Sequence, residues 1–386
     1  MDKATDERRP AQHPPARHPL AAKTEANAGL PDQPVKGRGA VSNRPGRYEP
    51  GDRPREDDGW SAGEADDELP PLETTVTIDS TRSAIAWNES PDVGFDRSVN
   101  SYRGCEHGCV YCFARPTHAY LGLSPGLDFE TRLFAKPEAP RLLAAELAKP
   151  GYRPAVLGLG TNTDPYQPVE RRFAITRGIL EVLAAYDHPV TIVTKSALVL
   201  RDADILAGMA KKGLASVTLS VTTLDRELAR NLEPRAATPP RRLETIRRLS
   251  QAGIPVGVLA APMIPALNDA ELEAILAAAV EAGATAASYV LLRLPLEIKD
   301  LFAEWLEAHA PGKAKHVLSL MRDTRRGNLY VDAFSERMRG HGPYAELLGR
   351  RFKLAVRRLG IERRSFQHRT DLFKVPPRPG QQLDLF

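Results

Sequence analysis

The sequence predicts an α/β protein in which a parallel sheet curls into an opened barrel of six β/α repeats. Two observations carry this. Between about Phe95 and Ala308, short runs rich in Val, Ile, Leu or Thr and bounded by Gly or Pro alternate with longer amphipathic segments, the pattern of βα units. Only six such repeats fit in that span, whereas a full eight-stranded barrel usually takes about 250 residues.

Residues 1–70 come first and look unlike the rest. They are rich in Pro, Gly, Ala and charge, as in "RRPAQHPPARHP", and have no sustained apolar period, so they read as a disordered tail. The tail begins basic and turns acidic over Asp52–Glu68. The barrel is expected over 71–310, with a first strand at 96–104 and later strands at 154–161, 189–196, 214–223, 254–264 and 284–295. Helices are expected at 171–187, 239–253 and 268–283. In the last of these Asn268 suits the N-cap, Leu272, Ile275, Leu276 and Ala279 share a face, and Gly283 suits the C-cap. After Pro311 the chain turns helical and basic, giving a C-terminal extension over 311–375, and an extended tail follows at 376–386.

Composition narrows the class. Of 386 residues 42% are hydrophobic and 26% charged, enough for one large core. Lys and Arg exceed Asp and Glu by 53 to 49, a mild attraction to polyanions at most. No run approaches the roughly 18–20 apolar residues of a membrane span, and the N-terminus lacks the apolar centre of a signal peptide. The expectation is a cytoplasmic protein, where thiols stay reduced.

That compartment gives meaning to "SYRGCEHGCVYCFARP", residues 101–116, which holds Cys105, Cys109 and Cys112, the chain's only cysteines. Such a cluster reads as metal-binding or catalytic before it reads as a disulfide. A zinc site takes four ligands, and His107 or His118 would have to complete a Cys₃His set. A four-iron cluster held by three thiolates would leave one iron free to bind something else. Structural zinc sites favour two separated pairs of ligands, and this chain has no second pair.

The Cys-x₃-Cys-x₂-Cys triplet, with Tyr111 immediately before its third cysteine and its place after a first strand, resembles the cluster loop of the radical S-adenosylmethionine (SAM) superfamily. The resemblance implies a radical SAM-type barrel, a [4Fe–4S] cluster on the three cysteines, and SAM chelating the free iron. It further implies reductive cleavage of SAM to methionine and a 5′-deoxyadenosyl radical that abstracts hydrogen from a substrate, with an electron donor such as flavodoxin or ferredoxin. Tyr111 is then expected near the adenine.

Barrel ligands come from the C-terminal ends of strands. "GTNTDPYQPVERR" follows the strand at 154–161 and puts Thr161, Asn162, Thr163 and Asp164 where the superfamily commonly has Gly-Gly-Glu at the methionyl amino group; Asp164 also suits an Asx-turn before Pro165. Lys195 ends the strand "VTIVTKS" and would pair with the cofactor carboxylate, since a cation at that depth needs a partner. Ser220 in "TLSVTT" would bond a ribose hydroxyl or the backbone. "TDPYQPVER", "TKS" and "SVTT" resemble the DNA repair photolyase-like branch, related to spore photoproduct lyase. Spore photoproduct lyases resemble one another in using a further cysteine, outside the cluster triplet, as hydrogen donor, and this chain has no fourth cysteine; Tyr102, Tyr166 and Tyr289 are the stand-ins available.

The leading expectation is a radical SAM enzyme acting on an unidentified substrate, with nucleic acid as one class. The rival is a zinc-stabilised nucleic-acid-binding protein without enzymatic activity, using "RRFKLAVRRLGIERRSFQHR" as a basic surface with Phe352 and Phe366 interleaved. Finally, Gln382–Phe386, "QLDLF", resembles the short peptide with which bacterial polymerases and repair proteins engage the sliding clamp, a resemblance that implies the clamp as a partner; the alternative is that the tail docks on its own barrel.

Overall fold

The computed structural model describes residues 34–48, 73–361 and 366–377. Among these residues ten strands fall in two sheets. Strands β1 (Thr75–Ile78), β5 (Arg132–Ala135) and β4 (Tyr102–Arg103) form the smaller sheet in the order β1-β5-β4. The larger contains β2 (Ile85–Trp87), β3 (Arg97–Val99), β6 (Leu157–Leu159), β7 (Val190–Thr194), β8 (Ala215–Ser220), β9 (Val256–Met263) and β10 (Ala286–Leu291). Its order is β10-β9-β8-β7-β6-β3-β2. All neighbours from β3 to β10 run parallel, and only β2 pairs antiparallel, at the edge. The six parallel strands are the six predicted repeats.

Apolar alternation builds the core. Leu157, Leu159, Val190, Ile192, Val217, Leu219, Val256 and Val258 are buried, and so are Ile179, Leu180 and Leu183 of the helix Ile175–Ala185 that packs nearby. Leu272, Ile275, Leu276 and Ala279 are buried together as their spacing predicts.

Local details depart from the sequence reading for identifiable reasons. The strand expected over 96–104 divides: β3 stays in the main sheet, while β4 turns aside to pair with β5, and Lys136 N donates to Ser101 O across the break. The helix expected over 171–187 breaks at Ala174, whose φ is 52°. Here the buried Glu170 carboxylate accepts from Thr176 N and starts a second helix from outside. Asn268 does not cap; its side chain accepts from Ile264 N and donates to Thr222 O and Pro262 O, bracing the loop after β9.

The chain ends show the largest differences. Residues 34–48, read as part of the tail, are a packed strap in which Arg38, Gly39, Ala40 and Val41 are buried. Arg47 bonds Glu297, and Ser42 bonds Glu304 on the helix Ile298–His309. Residues 1–33 and 49–70 of the predicted tail lie outside the described residues, as do 71–72 and Gln382–Phe386. At the other end the helices Pro311–Asp323 and Gly342–Arg358 form as predicted. Phe352, however, is buried against Tyr289, with ring centroids 4.8 Å apart. Residues 366–374 run under the barrel, where His368 bonds Ser216, Arg369 N donates to Gly213 O and Lys374 N donates to Tyr186 O. Phe352 thus serves packing, and the partly buried Phe366 puts its ring 3.3 Å from where a Cβ on Gly257 of β9 would lie, so the two do not interleave a basic surface. Among the described residues no helix is long and apolar enough to cross a membrane.

Candidate active site

The cysteine loop leaves β4 at Gly104 and lies beside the C-terminal ends of the parallel strands. Gly104 and Gly108 both have positive φ, and a Cβ on either would come within 3 Å of Leu133 or of Glu130. Only glycine fits both demands. Cys105 and Cys109 are buried and Cys112 is partly exposed. Burial pushes the Cys105 and Cys109 thiols up, with Lys195 countering part of the effect at Cys109, so their protons would leave as metal binds.

On its outer side the loop is tied to a buried ion pair. Arg115 is fully buried and spends all five N–H groups: on Cys109 O, Gly108 O, Pro125 O, Gly126 O and Glu130 Oε1, the last at 2.5 Å. Glu130, equally buried, also accepts from Gly39 N at 3.0 Å and Ala40 N at 2.8 Å. The strap and the cysteine loop therefore share one carboxylate. They meet so closely that a Cβ on Gly39 would lie 1.7 Å from Gly108 O.

On its inner side a second buried acid gathers the site. Glu233 accepts from the Tyr111 hydroxyl, from Thr222 Oγ1 at 2.6 Å and from Arg242. Arg242 also donates to Ser220 O at 2.9 Å. Burial raises the Glu233 carboxyl above its usual range, against the pull of Arg242. Lys195 Nζ stands 5.7 Å from the Tyr111 ring centroid and 4.0 Å from Glu233 Oε1, at the outer limit of an ion pair, and its side chain keeps 20% of its exposure. The structure thus brings Tyr111, Lys195 and Ser220 together, although the Ser220 hydroxyl itself donates to Ala261 O.

Thr163 and Asp164 lie in a supporting layer. Thr163 Oγ1 donates to Tyr102 O. Asp164 accepts from Tyr166 N and Thr194 Oγ1 on one oxygen and from Lys195 N on the other, which also lies 3.3 Å from His107 Nδ1. Burial opposes its charge, yet His107 and these donors hold the carboxyl at about 2. The Asp164 to Tyr166 bond is the Asx-turn, and the carboxylate is engaged by the protein on both oxygens. Among the tyrosines, Tyr102 donates to buried Glu170 and Tyr289 is covered by Arg339 and Phe352, while Tyr166 borders a cleft beside His107.

The zinc alternative lacks its fourth ligand. His107 faces Asp164, while the His118 ring is bonded to Arg132 O and packed edge-on against Phe129. Burial drops His118 to about 4. Among the described residues no three His, Cys, Asp or Glu side chains converge as ligands of one ion. Sequence reasoning missed Glu130, Arg115, Glu233 and Arg242; the one signal available was charge in otherwise apolar surroundings, and it names no partner.

Comparison with known proteins agrees with this geometry. The pattern of the Radical SAM superfamily matches residues 99–279. An uncharacterised protein of Mycobacterium bovis is 37% identical over 269 residues, spanning 68% of this chain and 78% of its own length, and one from Mycobacterium tuberculosis matches equally. An uncharacterised protein of Methanocaldococcus jannaschii is 28% identical over 200 residues, 52% of this chain and 73% of its own. In three dimensions a variant of spore photoproduct lyase superposes with a TM-score of 0.55 at 15% identity, over 76% of this chain and 82% of that one. The lyase complexed with dinucleoside spore photoproduct gives 0.54, with the same identity and coverage. These two show a shared fold. The superfamily match over residues 99–279 overturns the non-enzymatic alternative: with its three cysteines on one loop at the strand ends of an opened six-stranded barrel, this chain belongs to the radical SAM superfamily and is an enzyme of that superfamily.

Proposed function

We propose that this enzyme cleaves SAM reductively beside a [4Fe–4S] cluster held by Cys105, Cys109 and Cys112, and takes a hydrogen atom from its substrate. The observation that carries this is the pairing of a three-thiol loop with Tyr111 and Lys195 at its inner edge. The donor set fits the group: three thiols on one loop whose Gly104 and Gly108 leave no room for a Cβ, with both nearby histidines engaged elsewhere among the described residues. When bound, the cluster would supply the single electron that reductive cleavage of SAM to methionine and a hydrogen-abstracting 5′-deoxyadenosyl radical requires. A small one-electron protein such as flavodoxin or ferredoxin would supply that electron.

The chain's own residues hold and orient. Lys195, only weakly matched by Glu233, is free to pair with the cofactor carboxylate. Tyr111 is fixed by Glu233 and offers its ring face to an adenine. Asp164 holds the start of the loop after β7 through Lys195 N, so it positions Lys195 without touching the ligand. Nucleic acid is the substrate class we favour; the lyase bound to a dinucleoside photoproduct supports it as an analogy of fold.

The test is anaerobic reconstitution with iron and sulfide, followed by SAM and dithionite. We expect a brown protein absorbing near about 400 nm, and formation of 5′-deoxyadenosine and methionine in equal amounts. A colourless protein binding stoichiometric zinc would overturn the reading. Replacing any one of the three cysteines by Ala should abolish cluster assembly and leave the fold.

A further inference from the structure

A polar cleft of about 370 Å³ opens beside the cysteine loop, between the loops that follow β6, β7 and β8. Its walls include Arg171, Arg235 and Arg241, with Ser196, Tyr166 and the buried His107, and no Asp or Glu is among its lining residues. Arg235 is shared with Glu106 at 3.1 Å. Arg171 and Arg241 are exposed, and neither side chain bonds a partner among the described residues. The helix Pro239–Gln251, thirteen residues long, begins at this wall with two prolines and no side-chain cap, adding the positive end of its dipole to the arginines.

We infer that this cleft binds the phosphate of the substrate. Guanidinium forks match phosphate oxygens in pairs and hold them through charge-assisted bonds. With no carboxylate lining the wall to compete, Arg171 and Arg241 keep their forks open to an anion. The volume exceeds what one phosphate needs and leaves room for an attached sugar. His107 lies between Cys105 and Cys109, so a phosphate seated here sets the rest of the substrate close to the radical chemistry proposed above, on which the inference rests. Two sources carry this chemistry: a phosphodiester of a nucleic-acid strand and a small phosphorylated molecule.

Reconstituted full-length protein is titrated with pyrophosphate, with uridine 5′-monophosphate and with a short labelled single-stranded oligodeoxynucleotide, in the absence of SAM. The same is done for Arg171→Ala/Arg241→Ala, and for Arg350→Ala/Arg357→Ala, which removes two exposed cations from the helix Gly342–Arg358 instead. The expected result is tenfold or greater loss of affinity in the first variant and less than twofold in the second, with cluster absorbance unchanged in both. Cleft-dependent binding of the two small ligands assigns a small phosphorylated substrate; cleft-dependent binding of the oligonucleotide alone assigns a strand. Equal loss in the two variants, binding insensitive to Arg171 and Arg241, or no phosphate binding at all would overturn the inference. Because the readout needs no SAM cleavage, its failure is separate from failure of the radical reading.

Discussion

The two sides of the cysteine loop use the same chemistry to opposite ends. Each has a fully buried glutamate paired with a buried arginine, Glu130 with Arg115 outside and Glu233 with Arg242 inside. Outside, every guanidinium donor is spent on backbone carbonyls or on the carboxylate, and the carboxylate also receives two strap amides. Nothing is left over. Inside, Glu233 takes side-chain donors from Tyr111, Thr222 and Arg242, and the next cation, Lys195, stops at 4.0 Å and stays partly exposed. The difference lies in what surrounds each ion pair: a closed set of partners makes a frame, and a set with one loosely held member makes a site.

The strongest break in this comparison is Arg115→Ala. It strands the Glu130 charge and frees four carbonyls, so the stability loss should be about 3–5 kcal/mol, as for one partner removed from a buried pair. Thermal unfolding would show it, together with loss of iron on reconstitution; a melting point unchanged within a degree would end the idea of a frame. A narrower cut is Gly39→Ala, where the new methyl meets Gly108 O and the strap has to shift. Overpacking of this kind costs about 1–3 kcal/mol, and limited proteolysis should then cleave between residues 34 and 48 while the barrel resists.

Asp164 joins His107 of the cysteine loop to Lys195 N at the end of β7, and its carboxyl falls from an ordinary 3.8 to about 2. A depressed carboxyl adds stability above its unfolded value, and that stability is lost as pH falls through the folded value. In acid titration of the metal-free protein, Asp164→Asn should therefore flatten the stability change between about pH 4 and 2 by on the order of 2 kcal/mol. Parallel curves would place the charge elsewhere. The smallest stability effect belongs to Lys195→Ala, within about 0.5 kcal/mol for so loose a pair. Calorimetry should nevertheless find SAM binding about tenfold weaker, equivalent to about 1.4 kcal/mol, with the cluster spectrum intact.

What the sequence made legible follows the range of the interactions involved. The six strands were readable because short runs of Val, Ile, Leu or Thr bounded by Gly or Pro recur between amphipathic segments. The cysteines stood out because three thiols in eight positions have no ordinary packing role. Lys195 was found because a cation at a strand end is conspicuous. The acid–arginine pairs were not readable: Glu130 reaches Gly39 across ninety-one residues, and no local period records that. The strap escaped for a related reason. A Pro- and Gly-rich segment has no apolar rhythm, yet it is held here by amide donors to a carboxylate, which composition cannot register. Asp164 was given a place at the ligand because its strand-end position fits one, while the protein's own donors to it come from β7 and from His107.

The floor of the barrel carries a consequence for how the protein is made. Residues 366–374 reach back to Gly213, Ser216 and Tyr186, so the strands laid down first at the ribosome keep an open underside until more than a hundred further residues have been synthesised. Domains commonly form while the chain is still growing; this one can gather its sheet early and yet seal it only late. Ribosome-bound chains halted before residue 366 should accordingly hold the parallel strands in a looser, protease-sensitive form, and tighten once the segment through Lys374 has cleared the exit.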